Sequence, residues 1–284
     1  MNIVLRYAVA IFCLWISAFG AYAQDAKRGQ YLATAAGCAG CHTEEKKDAV
    51  PFAGGRALKT PFGTFYGPNI TPHPQSGIGG WSEADFMKAL REGTRPDGAH
   101  YYPAFPYTSF TKIVDSDSRD LFAYFRSIPP NARASQPHDL KFPFGFRILN
   151  YIWKWLFFTP GGFAPDASKP QELNRGAYLV QALAHCGECH TPRNFLGVSK
   201  KNRFLAGGKG PDNKDIPNIT PTRLKNMSDS DLLQYLQTGL TADGDVAAEP
   251  MSEVITNTLA KLSDPDIKAL MGYLRTLLPL PEEK

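Results

Sequence analysis

A chain of 284 residues has room for about two domains of ordinary size, and its 43% hydrophobic and 20% charged residues are those of a globular protein with a core to bury. Its 31 basic residues are scattered and nearly matched by 27 acidic ones. A net charge of +4 spread in this way gives no reason to expect nucleic acid as a partner.

The chain starts Met-Asn-Ile-Val-Leu-Arg, continues in an apolar run from Tyr7 to about Phe19, and reaches Ala21-Tyr22-Ala23. A basic start, a hydrophobic middle and a small-x-small site predict a secretory signal peptide over residues 1–23, cut after Ala23. The apolar run is short for a membrane-spanning helix, so the mature protein is expected in the periplasm, with room for association at the outer face of the inner membrane. Of five cysteines, Cys13 falls in this leader, and Phe12 before it is too large for a lipid-attachment cleavage. Cys38, Cys41, Cys186 and Cys189 remain, and none of them is spare for a disulfide.

A helix predicted over 26–36 runs into Cys38-Ala39-Gly40-Cys41-His42. Two cysteines at this spacing can each form a thioether to a haem vinyl group, and the following histidine is then held where its ring nitrogen reaches the iron. A zinc site would need further ligands around each pair, and a thioredoxin-like pair would close a strand in a β-α-β pattern. Neither setting is visible. Glycine- and proline-rich loops follow at Ala53-Gly54-Gly55 and Pro68-Asn69-Ile70-Thr71-Pro72. Ser82 ahead of Glu83 and Asp85 starts a second helix that runs to about Arg91, before Gly93. A third amphipathic helix covers 117–127, before Pro129.

Residues 131–170 read as a linker rich in proline and aromatics, including Tyr151-Ile152-Trp153-Lys154-Trp155-Leu156-Phe157-Phe158. Eight such residues cannot span a bilayer. They are expected to pack the seam between two modules; the alternative is an exposed patch for a partner protein or a membrane surface.

Beyond the linker the landmarks recur in the same order. A helix over 172–184 leads into Cys186-Gly187-Glu188-Cys189-His190, at an offset of 186 − 38 = 148. Ala206-Gly207-Gly208, Pro217-Asn218-Ile219-Thr220-Pro221, a helix from Ser228 to about Gln237 and a last helix over 264–277 answer their counterparts. The module is therefore used twice. Three short helices in about a hundred residues enclose little core unaided, so a buried haem would supply the missing apolar volume. The expected fold is all-α: two tandem helical bundles, 24–130 and 171–284, each wrapped around one of two covalent haem c groups.

The second axial ligand of such a module is expected from the loop before its last helix, where methionine sulfur raises the iron's potential relative to a second imidazole. In the second half that residue is Met251. In the first half the Asp-Gly landmarks align Asp97 with Asp243, an offset of 146 that places Phe105 opposite Met251. Phenylalanine cannot bind iron. His100, five residues earlier, is the first candidate, an open five-coordinate site covered by Phe105 the second, and His73 the third. Met87, His138 and His185 read as structural residues.

With Arg-Gly-x-Tyr-Leu before each haem motif, Pro-Asn-Ile-Thr-Pro, Gly80-Trp81-Ser82 and Tyr102-Pro103-Ala104-Phe105-Pro106-Tyr107 in place, the chain resembles a bacterial family. These are the class I multi-haem cytochromes c that serve membrane-associated alcohol and gluconate-type dehydrogenases. Members of that group often carry three haem modules and a methionine where Phe105 stands; this chain has two Cys-x-x-Cys-His motifs. The resemblance implies a relay with no catalytic residues of its own, taking electrons from a dehydrogenase and passing them to a quinone, a terminal oxidase or another cytochrome. The competing expectation is a dihaem enzyme or ligand-binding cytochrome whose first haem is open, peroxidase-like or oxidising sulfur compounds.

Overall fold

The computed structural model describes residues 24–210 and 213–282; the expected leader, residues 1–23, lies outside the described residues. In the N-terminal half, α1 (Ala26–Ala35) leads through Gly37 into a short α2 (Cys38–His42). Helix α3 (Glu83–Glu92) starts at a reciprocal capping box between Ser82 and Asp85 and stops at Gly93 in a left-handed conformation. A single turn, α4 (Tyr107–Phe110), precedes α5 (Asp115–Ser127). The all-α expectation omits small strands: β1 (Ala57–Thr60), β2 (Gly63–Tyr66) and β3 (Asp139–Leu140) pair antiparallel in that order. Segments of two to four residues leave too short an alternation to be read from sequence.

The C-terminal half repeats the plan with α7 (Gln171–Tyr178), α8 (Gly187–His190), α9 (Pro221–Leu224), α10 (Asp229–Thr238), α11 (Met251–Asn257) and α12 (Asp264–Thr276), and with a strand pair β4 (Gly208–Lys209) and β5 (Asp215–Ile216). The capping box recurs between Ser228 and Asp231. The spacing from Tyr31 to Cys38 is 7 and that from Tyr178 to Cys186 is 8, so the second half carries one extra residue. A π-helical stretch, Leu179–Leu183, absorbs it by letting one turn bulge, so that the motif arrives in the same place.

In each half the first and last helices cross at a glycine. A Cβ on Gly29 would overlap the Asp120 carbonyl of α5 and lie 2.8 Å from the Tyr124 Cβ; one on Gly176 would overlap the Ala269 carbonyl of α12 and lie 2.8 Å from the Tyr273 Cβ. The preceding arginine clamps the same crossing: Arg28 pairs with Asp117 and Asp120, and Arg175 with Asp266.

The two halves are joined by an exchange. Tyr31 of the first half donates to Asp266 of the second at 2.7 Å, and Tyr178 of the second donates to Asp117 of the first at 2.8 Å. Each hydroxyl also accepts the N-cap amide of the other half's last helix, Ser263 to Tyr31 at 3.1 Å and Val114 to Tyr178 at 3.3 Å. Equivalent residues thus meet reciprocally, as in a two-fold interface. Burial opposes ionisation of Asp266, but the hydrogen bonds from Arg175 and Tyr31 and the Arg175 charge outweigh it and hold the carboxyl below its ordinary value. A depressed carboxyl adds stability that is fully present above its unfolded value of about 4 and is lost as pH falls through the folded value. Urea denaturation followed from pH 7 downward is expected to show that acid-side loss in the wild type. In Asp266→Asn the curve is flatter there and the protein is less stable at neutral pH.

The linker holds a helix, α6 (Arg147–Phe157), that touches both halves, Trp153 donating to the Leu196 carbonyl at 2.8 Å, but leaves most of its apolar residues outside the seam. Its polar residues face the body: Asn150, 5% exposed, donates to the carbonyls of His100 and Tyr101, and Lys154 donates to Thr94 Oγ1 at 2.8 Å. Its apolar residues face outward, Trp155 being 74% exposed, together with Ile148, Leu149, Tyr151, Ile152 and Leu156. Phe142 and Phe146 extend this exposed surface. Among the described residues no helix is long and apolar enough to cross a membrane.

Candidate functional site

Helix α2 delivers Cys38, Cys41 and His42 to one wall of a cavity of about 470 Å³ in the first half. Phe65, Ile70, Ile78, Phe86, Leu90, Phe105 and Phe125 supply much of its apolar lining, and Arg95, Tyr101, Tyr102, His138 and Arg147 are among its polar residues. The shape and chemistry fit a flat apolar ring system with an anionic edge. Among the described residues no three or more His, Cys, Asp or Glu side chains form a group that could hold a metal ion.

The motif histidines are oriented by the loops that follow them. His42 Nδ1 lies 2.7 Å from the Pro68 carbonyl, and His190 Nδ1 lies 2.8 Å from the Pro217 carbonyl. Because a carbonyl only accepts, each Nδ1 carries the proton and each Nε2 keeps its lone pair for a metal. Burial pushes both imidazoles below their ordinary pKa, which favours the neutral form, the one able to bind a metal. The repeated Pro-Asn-Ile-Thr-Pro segment thus works through a backbone oxygen. Its asparagine braces that loop: Asn69 donates to the Asn131 and Arg133 carbonyls and Asn218 to the Leu280 carbonyl. Burial also raises the four motif thiols, Cys38 and Cys186 to about 12 and Cys41 to about 11.

Phe105 lines the first cavity, in edge contact with Tyr101 and Phe110. Its counterpart Met251 opens α11, half-buried against the core. The structure does not bring His100 to the cavity. Its Nδ1 lies 2.9 Å from Lys154 Nζ, its ring lies on Tyr151, and its carbonyl caps the inward face of α6. His73 is also off the wall, with Nδ1 accepting the Ser76 amide at 3.1 Å, and so is Met87. Besides His42, the histidines that line it, His138 and His185, are those read as structural. His138 Nδ1 accepts the Tyr66 amide at 3.1 Å, so its Nε2 bears the proton and serves as a donor, not a ligand. Burial, and then the nearby Arg147 and Arg95 charges, lower its pKa.

The cytochrome c family model matches residues 26–129. A diheme cytochrome c-type protein of Cereibacter sphaeroides is 46% identical over 261 residues, covering 90% of this chain and 87% of that protein. The chain belongs to the dihaem c-type cytochromes. The chain is also 42% identical to the fructose dehydrogenase cytochrome subunit of Gluconobacter japonicus over 264 residues, and 37% identical to the cytochrome c subunit of the quinone alcohol dehydrogenase of Gluconobacter oxydans over 297. Those alignments take in 90% and 98% of this chain but 53% and 61% of the two subunits. The dihaem cytochrome carries two covalently bound haem c groups. A family match over the first half, and repetition of its cradle, loops and clamps in the second, account for both.

Proposed function

We propose that this cytochrome takes electrons from a dehydrogenase in the periplasm and passes them to a quinone, a terminal oxidase or another cytochrome. The carrying observation is the pair of Cys-x-x-Cys-His cradles with ligand-ready histidines, in a chain similar to cytochrome subunits of dehydrogenases. In this reading 24–130 and 171–284 are tandem cytochrome c domains joined by 131–170, and residues 1–23 are a signal peptide. Each haem, when bound, supplies one iron that cycles between ferrous and ferric states. Cys38, Cys41 and His42 hold the first and Cys186, Cys189 and His190 the second. Met251 would offer the second iron a sulfur ligand, and Phe105 stands at the matching position in the first half. The expected result is an intact mass two haems above the mature polypeptide and rapid reduction by a purified dehydrogenase with its substrate. Met251→Ala should lower the potential of one haem and leave the other in place, read by spectroelectrochemical titration. A mass without added haem, or two unshifted potentials, would remove the assignments.

Helix α6 supports peripheral association with the outer face of the inner membrane. A short helix bound to its own protein by polar residues, with tryptophan, tyrosine and aliphatic side chains outward, suits the interfacial zone of a bilayer. Flotation with phospholipid vesicles should carry the wild type upward and leave a Trp155→Glu/Leu156→Glu variant behind; equal flotation of both refutes it.

Phe105, together with the displacement of His100 and His73 from the wall, favours a second reading in which the first haem is an open, ligand-binding or peroxidase-like centre. Carbon monoxide bound at one ferrous haem together with peroxide turnover would move the function there. Binding without turnover leaves the carrier reading in place.

A further inference from the structure

We propose that His185 is the bridge through which electrons pass between the two haem sites, an inference that rests on the carrier reading above. Among the described residues His185 is the one from the C-terminal half in the wall of the first cavity, which it shares with Cys38, Cys41 and His42. Its ring meets Phe110 of the first half at 5.3 Å and 72°. Its backbone, however, is bonded to Cys186, an attachment residue of the second site. The residue therefore belongs covalently to one centre and spatially to the other.

The conformation argues that this position is selected. In each half the residue before the first motif cysteine has a positive φ, +61° at Gly37 and +39° at His185. Glycine adopts this freely, whereas a side chain there is strained. A glycine would serve the turn, as the first half demonstrates, yet the second half keeps an imidazole. Its orientation is fixed as well, since Nδ1 lies 2.7 Å from the Leu183 carbonyl.

The surroundings bring the two attachment segments face to face. Thr108 and Ser109 of the first half donate to Glu188, inside the second motif, at 2.7 and 2.6 Å. Lys112 donates to Gln181 at 3.1 Å. Arg56 reaches Glu253 on α11 at 2.8 Å, and Gly40 inside the first motif faces the same carboxylate. Bonded atoms carry electron tunnelling further than a gap or a water layer does. The run from the Cys186 sulfur through the His185 peptide and side chain to its packing against the first cavity contains a single non-bonded step. The exchange moves one electron: a ferrous iron on one side becomes ferric as a ferric iron on the other becomes ferrous, and His185 neither gains nor loses a proton.

The test uses the full mature holoprotein and two variants, His185→Gly, which restores the residue of the twin position, and His185→Asn, which tolerates positive φ without the ring. A flash-generated reductant injects less than one electron per molecule, and redistribution between the spectrally distinct haems is followed. Both variants are expected to slow redistribution by at least an order of magnitude while haem content and both potentials stay at wild-type values. Redistribution as fast as wild type in both variants overturns the bridge. A low-spin to high-spin change at the first haem in the variants also overturns it, because the imidazole would then be an iron ligand. A wild type that carries two haems but shows no redistribution removes the bridge alone, whereas one lacking a haem by mass removes the carrier reading itself.

Discussion

Replacing Cys38 and Cys41 together by alanine is expected to leave a protein with one haem, whose N-terminal half no longer unfolds cooperatively. The first cavity, about 470 Å³, is walled by Phe65, Ile78, Phe86, Leu90 and Phe125, side chains that would otherwise close a core. At about 24 cal/mol per Å³ for a sealed apolar void, a volume of this size corresponds to at most about 11 kcal/mol. The net stability of a whole domain is about 5–15 kcal/mol. The half cannot sustain that loss. Of the polar residues at the cavity, Arg147 and Tyr102 would also face water-filled space, while Arg95 keeps its ion pair with Asp97. Intact mass reports the missing haem, and far-UV circular dichroism against temperature reports the lost transition. An unchanged melting curve in the one-haem protein would show that the cofactor does not complete the core.

Gly29→Ala is expected to be strongly destabilising, and Gly176→Ala similarly so. At both crossings the helices approach until the glycine backbone abuts a carbonyl and the Cβ of a tyrosine, so the new carbon has no space without parting the helices. Parting them stretches the Arg28 clamp onto Asp117 and Asp120, and displaces Asp117 from Tyr178. Overpacking of this kind costs about 3 kcal/mol. For a cooperative unit of this size that is a fall in melting temperature of roughly 6–12 °C. Gly162→Ala is the control: nothing lies within 4 Å of the added carbon, and its melting temperature should match the wild type. Equal melting of Gly29→Ala and the control would mean that the helices do not meet at the glycine.

Local patterns carried much of this into the sequence. The two haem motifs, the capping boxes at Ser82 and Ser228 and the repeat itself are set by spacing over a few residues, so they can be read without a fold. The change from an offset of 147 at Tyr31 and Tyr178 to 148 at Cys38 and Cys186 was likewise visible, and it is the π-bulge written in numbers. What was not legible depends on contacts between distant segments or on backbone atoms. The carbonyls of Pro68 and Pro217 have no residue-type signature. His185 reaches the first cavity from the other half, and loop proximity to Phe105 pointed instead to His100, which Lys154 and Tyr151 hold outside. The outward face of α6 was legible in principle: Arg147, Asn150 and Lys154 stand at helical spacing, and reading that polar stripe as the buried one would have turned the helix the right way round.

The reciprocal tyrosine and aspartate contacts between the halves are those that two identical polypeptides make about a rotation axis. A single-module ancestor that paired with itself would already have owned them, and fusion of its duplicated genes would have preserved them. Fusion also lifted a restriction, for in a homodimer every substitution appears on both sides at once. In one continuous polypeptide phenylalanine can stand at 105 against methionine at 251, and glycine at 37 against histidine at 185. The covalent join in this sense leaves the two halves free to diverge at the positions they otherwise share.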